Sequence, residues 1–247
     1  MLLSSFKTNF EILRFPPTWF PQEPTFDAYI DMSTTGNFFV YFLNSIIVGS
    51  GTTILSASTG LLAGYGFSRF SFRGRSILLA VFLASQMLPG VLLVGAYFKV
   101  LSVVNLYDTR IGVIIGLTTI TLPFSTWMIK GYADSIPIEI DEAARIDGCS
   151  RLGILFKIVV PNMAPGIVTT MIFAFLLAWG DLLWALCLTT TDNMYTVPVA
   201  LARCVGEFRV EWAQLMAGTT IAIIPPAILY IFLSRLLIKG LTKGAVK

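Results

Sequence analysis

The chain has 247 residues, with seventeen Lys and Arg against fourteen Asp and Glu, no histidine, and 55% hydrophobic but only 13% charged residues. An ordinary soluble domain is roughly 45–50% apolar and about 25% charged, so these proportions exclude a soluble globular enzyme and favour a polytopic membrane protein. The formal charge of +3 is scattered between apolar runs, which leaves no basic face for nucleic acid, and lipid and protein are the expected partners.

In chain order, Met1 to Phe15 carries Lys7, Glu11 and Arg14 and is too short and too charged to cross a bilayer. Residues 1–36 read as an external N-terminal segment and 37–247 as the transmembrane domain. Five charge-poor runs follow, at about 38–67, 76–98, 111–129, 158–180 and 212–234, each long enough for a hydrocarbon core of about 30 Å. A sixth run, Leu182 to Thr191, is too short to cross and fits a helix extension or a re-entrant turn. No ten-residue alternating strands appear, and backbone groups in lipid must pair within their own segment, so the fold class is an all-α polytopic helical bundle. In the first run Gly49, Gly51, Gly60, Gly64 and Gly66 offer small faces for close helix packing. Pro89, Pro123, Pro225 and Pro226 are expected kinks.

Lys and Arg set the orientation. Arg69, Arg73 and Arg75 follow the first run, Lys130, Arg145, Arg151 and Lys157 the third, and Arg235, Lys239, Lys243 and Lys247 the fifth, against Lys7, Arg14, Lys99, Arg110, Arg203 and Arg209 in the opposite set. The richer set faces the cytoplasm, so the C-terminus is inside and residue 1 outside.

The stretch 135–161 is a long, charged, patterned cytoplasmic loop that reads as two short helices. Pro137 suits a first turn, Glu139, Asp141 and Glu142 complement the positive helix end, Gly148 can turn left-handed, and Ser150 caps the second helix. Helical spacing puts Ile136, Ile140, Ala143 and Ala144 on one face and Asp141, Glu142 and Arg145 on the other. An acidic helix whose apolar stripe is half alanine suits docking into a protein groove better than lying in headgroups.

The run Glu142-Ala143-Ala144-Arg145-Ile146-Asp147-Gly148, followed by Ile158-Val159-Val160-Pro161, resembles the EAA loop of MetI-like permease subunits in binding-protein-dependent ABC importers. Agreement with the carbohydrate branch of MalG-like and glycerol-3-phosphate-permease-like subunits extends to Trp19 with Pro21, Asn44-Ser45, Arg69-Phe70 with Gly74-Arg75, Gln86-Met87-Leu88-Pro89-Gly90, Leu122-Pro123-Phe124 and the tail from Gly240 to Lys247. Departures are Cys149 where alanine is usual, Val160 where leucine is usual, and Trp179-Gly180-Asp181 where many members have Trp-Asn-Glu. The resemblance implies import of a sugar or polyol phosphate, with Glu142, Ala143, Ala144, Asp147 and Gly148 coupling the bundle to a cytoplasmic ATPase dimer. It also implies a second, homologous permease and an extracytoplasmic substrate-binding protein. The family pattern has six spans, so the chain is expected to lack the first helix, with roughly 20 apolar residues encoded in frame upstream.

The chemistry left out agrees. Neither Gly90 to Gly95 nor Gly148 to Gly153 continues into the GK[ST] of a Walker A site, so ATP hydrolysis belongs to a partner and the chain is no enzyme. The cysteines Cys149, Cys187 and Cys204 have no ligand spacing and read as packing residues, so no metal or other cofactor is expected. Asn44 and Gln86 either bond across helices or line the path. Trp179 and Asp181 either contact a sugar or mark the water interface. The alternative function, an ion-coupled secondary transporter or channel, wants inverted repeats and midplane ionisable clusters, which are not evident; a non-transporting scaffold would be indifferent to an ATPase.

Overall fold

The computed structural model describes residues 1–34, 36–206 and 210–232. Arg209, Arg235, Lys239, Lys243, Lys247, the 240–247 tail motif and the end of the fifth run lie outside the described residues. The described residues are helical, with one isolated bridge between Val205 and Val210.

Two short helices, α1 (Asn9–Ile12) and α2 (Asp27–Thr34), precede α3 (Phe38–Arg69). Then come α4 (Arg75–Ala84), a 3-10 turn (Ser85–Met87), α5 (Gly90–Val103), α6 (Arg110–Asp134) and α7 (Ile138–Ile146). The remainder is α8 (Arg151–Ile154), a π stretch (Leu155–Val159), α9 (Val160–Asn162), α10 (Ala164–Trp179), α11 (Leu183–Leu188), α12 (Val197–Arg203) and α13 (Trp212–Ala222), which continues past Pro225 and Pro226 to Phe232.

Three of these helices, α3, α6 and Trp212–Phe232, are each long and apolar enough to cross a membrane. The other two runs are broken. Arg75–Met87 and Gly90–Val103 meet at 100°, and Arg151–Asn162 and Ala164–Trp179 at 82°, so 76–98 and 158–180 are not the single helices that their lack of charge suggested. Leu88 is extended, as a residue before proline prefers, and Pro89 leads into α5. Pro165 lies at the start of α10, where its missing N–H leaves the Pro161 carbonyl without its helical donor. Pro123 sits inside an unbroken α6.

α3 and α6 are the spine, and small residues let them touch. A Cβ on Gly64 would lie 2.8 Å from Ile129 Cγ2 and 2.9 Å from the Lys130 nitrogen, and one on Gly60 would lie 3.1 Å from Ser125 Cβ. Beside them the buried hydroxyls of Ser56 and Ser125 are 2.9 Å apart. Gly49 and Gly51 face Phe175 and Ile114 in the same way, but Gly66 has nothing within 4 Å and does not join the packing face proposed for it.

Two apolar clusters mark the ends of this spine. At one end Phe38, Tyr41, Val197, Ala213 and Ala217 pack with Ala28 and Met32 of α2. Asn9 ties the N-terminal segment there, donating to Glu211 Oε2 at 2.9 Å and accepting from the Ala213 N–H at 2.8 Å. At the other end Tyr65, Ile129, Ala133, Ala144, Ile154, Leu155, Val159 and Met163 form the core beneath the 135–161 loop.

Candidate functional site

The loop at the second end is built by local chemistry. Pro137, extended at φ −55 and ψ 134, precedes α7; Glu139 and Asp141 lie in its first turn and Arg145 in its last, matching the helix dipole at both ends. Gly148 has φ +86. The Cys149 N–H donates to the Ala144 carbonyl at 3.0 Å and the Gly148 N–H to the Arg145 carbonyl at 3.1 Å, the paired bonds of a Schellman ending that a left-handed glycine permits. Ser150 Oγ then accepts from the Gly153 N–H at 3.1 Å and starts α8.

The face that α7 buries differs from the expected one. Asp141 and Ala144 turn inward, whereas Ile138, Ile140 and Ile146 are 47%, 41% and 87% exposed, and Glu142, Ala143 and Asp147 are exposed beside them. Asp141 therefore leaves the polar outer face assigned to it, because Arg69 waits for it. Arg69 Nε donates to Asp141 Oδ2 at 2.8 Å with side-chain exposures of 8% and 4%, and Arg69 also donates to the Ile136 carbonyl at 2.9 Å. The Tyr65 hydroxyl adds a 3.3 Å bond to the same carboxylate oxygen. What remains outside is an apolar and acidic strip suited to a protein groove.

The four path candidates are not gathered in one place. Asn44 is 0% exposed; its amide donates at 2.8 Å to the carbonyls of Asn193 and Tyr195, and its oxygen accepts from Arg110 Nε at 2.8 Å. It pins the 189–197 segment to α3. Trp179 is buried against Phe42 and Phe175 and donates to the Ala222 carbonyl at 3.1 Å. Asp181 Oδ1 accepts from the N–H groups of Trp184 and Ala185 at 2.9 and 3.3 Å, starting α11. Gln86, exposed at the α4–α5 bend, donates to the Ile120 carbonyl at 2.8 Å. It alone of the four lines a described cavity, one of about 500 Å³ that it shares with Leu88, Tyr97, Thr119 and Trp184.

Sequence reasoning missed the 189–197 lock, which lies at the far end of the spine. Asp108 accepts from the Thr190 N–H at 2.7 Å, the Thr191 N–H at 3.0 Å and the Thr191 hydroxyl. Asp192 accepts from the Tyr41 hydroxyl at 2.7 Å and from Arg203 at 2.5 Å. Acidic residues flanked by threonine and asparagine look like ordinary loop composition, and only the fold brings Asp108 and Tyr41 to them.

A family model described as "Binding-protein-dependent transport system inner membrane component" matches residues 56–243. The inner membrane ABC transporter permease protein YcjP of Escherichia coli (strain K12) is 36% identical over 249 residues, covering 100% of this chain and 89% of that protein. The sulfoquinovosyl glycerol transport system permease protein SmoH of Agrobacterium fabrum is 34% identical over 247 residues, covering 100% and 87%. Among solved structures, a bacterial ABC transporter involved in the import of the acidic polysaccharide alginate has a chain similar to this one with a TM-score of 0.82 at 21% identity, covering 95% of this chain and 87% of that one.

Proposed function

We propose a function from one premise: the chain belongs to the family of binding-protein-dependent transport system inner membrane components, and is a multi-pass permease subunit of an ABC importer. On that premise it passes a sugar or polyol phosphate, the glycoside carried by one relative and the polysaccharide carried by a structural neighbour favouring the sugar. ATP is hydrolysed by a cytoplasmic ATPase dimer docked on the 135–161 loop; a second, homologous permease completes the pore, and an extracytoplasmic binding protein delivers the cargo.

The observation that carries this reading is the outward strip of α7. A helix that leaves Ile138, Ile140 and Ile146 exposed while burying an aspartate is shaped for a partner rather than for this chain's own core. The Schellman ending at Gly148 and the Ser150 cap hold it at a set angle to the helices that follow. Glu142, Ala143, Asp147 and Gly148 lie on this rigid piece, and Ala144 anchors it from beneath.

For the path, the cavity at the α4–α5 bend has a suitable lining. An amide at Gln86 and aromatic rings at Tyr97 and Trp184 offer hydrogen bonds and flat apolar faces, the usual means of holding a sugar ring. The five runs cross the membrane with the 135–161 loop inside, the second and fourth as bent pairs and the fifth followed to Phe232.

The test is uptake by proteoliposomes holding this chain with its ATPase, second permease and binding protein, supplied with labelled disaccharides. ATP-dependent accumulation is the expected result, and accumulation driven by an ion gradient without ATP would overturn the reading.

A further inference from the structure

α3 is 32 residues long, about 48 Å at 1.5 Å per residue, against a hydrocarbon core of about 30 Å. Its length brings its C-terminal end to the loop, and four positions there, Tyr65, Ser68, Arg69 and the capping Phe70, hold the loop at successive points. Ser68 donates to Asp134 Oδ1 at 2.7 Å, just before α7. Arg69 grips α7 itself through Asp141 and the turn ahead of it through the Ile136 carbonyl. Phe70 lies under the Arg151 guanidinium, 5.1 Å from its ring centre, at the start of α8. Tyr65 stacks edge-on against Phe70 and reaches the same aspartate.

Of the two residues that α7 buries, Ala144 offers only contact, whereas Asp141 makes directional bonds. α7 cannot slide or turn relative to α3 without breaking charge-assisted bonds held away from water, which salt screens weakly. A buried ion pair adds little net stability, because desolvation offsets the attraction, but its geometry is demanding. Those are the properties of a strut.

We propose that the Arg69–Asp141 ion pair is a positioning element that carries displacement of α7 into α3, and through the tight α3–α6 contact at Gly60 and Gly64 into the bundle. The proposal rests on the reading of 135–161 as the ATPase dock. It assigns force transmission to residues on the inner face of the loop, distinct from the outer strip that meets the ATPase.

The experiment uses the reconstituted complex of this chain with ATPase, second permease and binding protein, and compares wild type with Arg69→Met/Asp141→Leu and Arg69→Lys. The double variant removes both charges together, so neither is left buried alone. The complex is expected to assemble with unchanged basal ATPase activity, while cargo moved per ATP falls about tenfold. Arg69→Lys, which keeps a charge-assisted bond but loses the fork to Ile136, is expected to fall between. Wild-type coupling in the double variant would overturn the proposal. Loss of the ATPase, or failure of the complex to accumulate, would also overturn it, by making the pair part of the dock or a stability element. Failure of the dock reading is seen separately, as a wild-type complex that retains no ATPase or shows no ATP-driven uptake.

Discussion

The indole Nε1 of Trp179 donates at 3.1 Å to the carbonyl of Ala222, the group four residues before Pro226 that proline leaves without a helical donor. The bond joins the end of α10 to the middle of α13 and satisfies a backbone group where no water would reach it. It also gives Trp179, for which the sequence left sugar contact and the water interface open, a packing role inside the bundle.

Trp179→Phe keeps the ring beside Phe175 and Phe42 but removes the donor. We expect the purified protein to lose stability by about 1 kcal/mol, read as a lower midpoint of thermal unfolding in detergent, with Trp179→Ala losing more. Unchanged stability with lowered uptake would return Trp179 to the path.

Gly148 has φ +86 and open space around its Cα, so the barrier to replacement is conformational rather than steric. An L-residue held there costs about 1–2 kcal/mol. Gly148→Ala and Gly148→Asp should both uncouple transport or release the ATPase, Ala no less than Asp, since Asp tolerates the left-handed region better; uptake measured together with co-purification separates uncoupling from release. Wild-type uptake and assembly in Gly148→Asp would remove this loop from the dock.

Gly64 and Gly66 make a controlled pair. Gly64→Ala forces a Cβ to within 2.9 Å of Lys130 and Thr126 backbone atoms, whereas Gly66→Ala meets nothing within 4 Å. The first should cost about 1–3 kcal/mol, whereas the second should hold the unfolding midpoint or raise it slightly, since alanine is favoured over glycine in a helix. Equal effects would mean that α3 and α6 are not in backbone contact.

Acid should loosen the 189–197 lock. Burial alone would raise the Asp108 carboxyl, but the Thr190 N–H and the Thr191 hydroxyl and N–H outweigh it and hold the group below its usual range. The Tyr41 hydroxyl and Arg203 guanidinium do the same for Asp192. A depressed carboxylate stabilises the fold above its unfolded pKa, and that stabilisation is lost as pH falls through the lower native value. Protection of the Thr190 and Thr191 amides, corrected for intrinsic exchange, should hold at pH 6 and begin to fall near about pH 4. Asp108→Asn should remove the dependence. Protection that stays constant down to pH 3 would contradict the lock.

How much was legible in the sequence follows the range of the forces. The ends of α7 and the start of α8 depend on residues within a few positions: Gly148 turns left-handed and Ser150 caps α8 where local chemistry put them, while Pro137, expected in the first turn, stands one residue ahead of α7. The inward turn of Asp141 depends on Arg69, far away in the chain, and helical spacing alone assigned the carboxylate to the wrong face. Lack of charge revealed the run 158–180 but not its bend, because hydropathy is indifferent to the N–H that Pro165 lacks. Asn44 was visible as a costly polar residue in an apolar helix, but its partners, Arg110 and the carbonyls of Asn193 and Tyr195, were not.

The outward strip of α7 as the ATPase dock is tested most directly by photocrosslinking in the membrane. A benzoylphenylalanine probe replaces Ala143, which is exposed, or its neighbour Ala144, which is buried. The account predicts a crosslink to the ATPase subunit from position 143 and none from 144. A probe at 143 that reaches only lipid, or one at 144 that captures the ATPase, would contradict it.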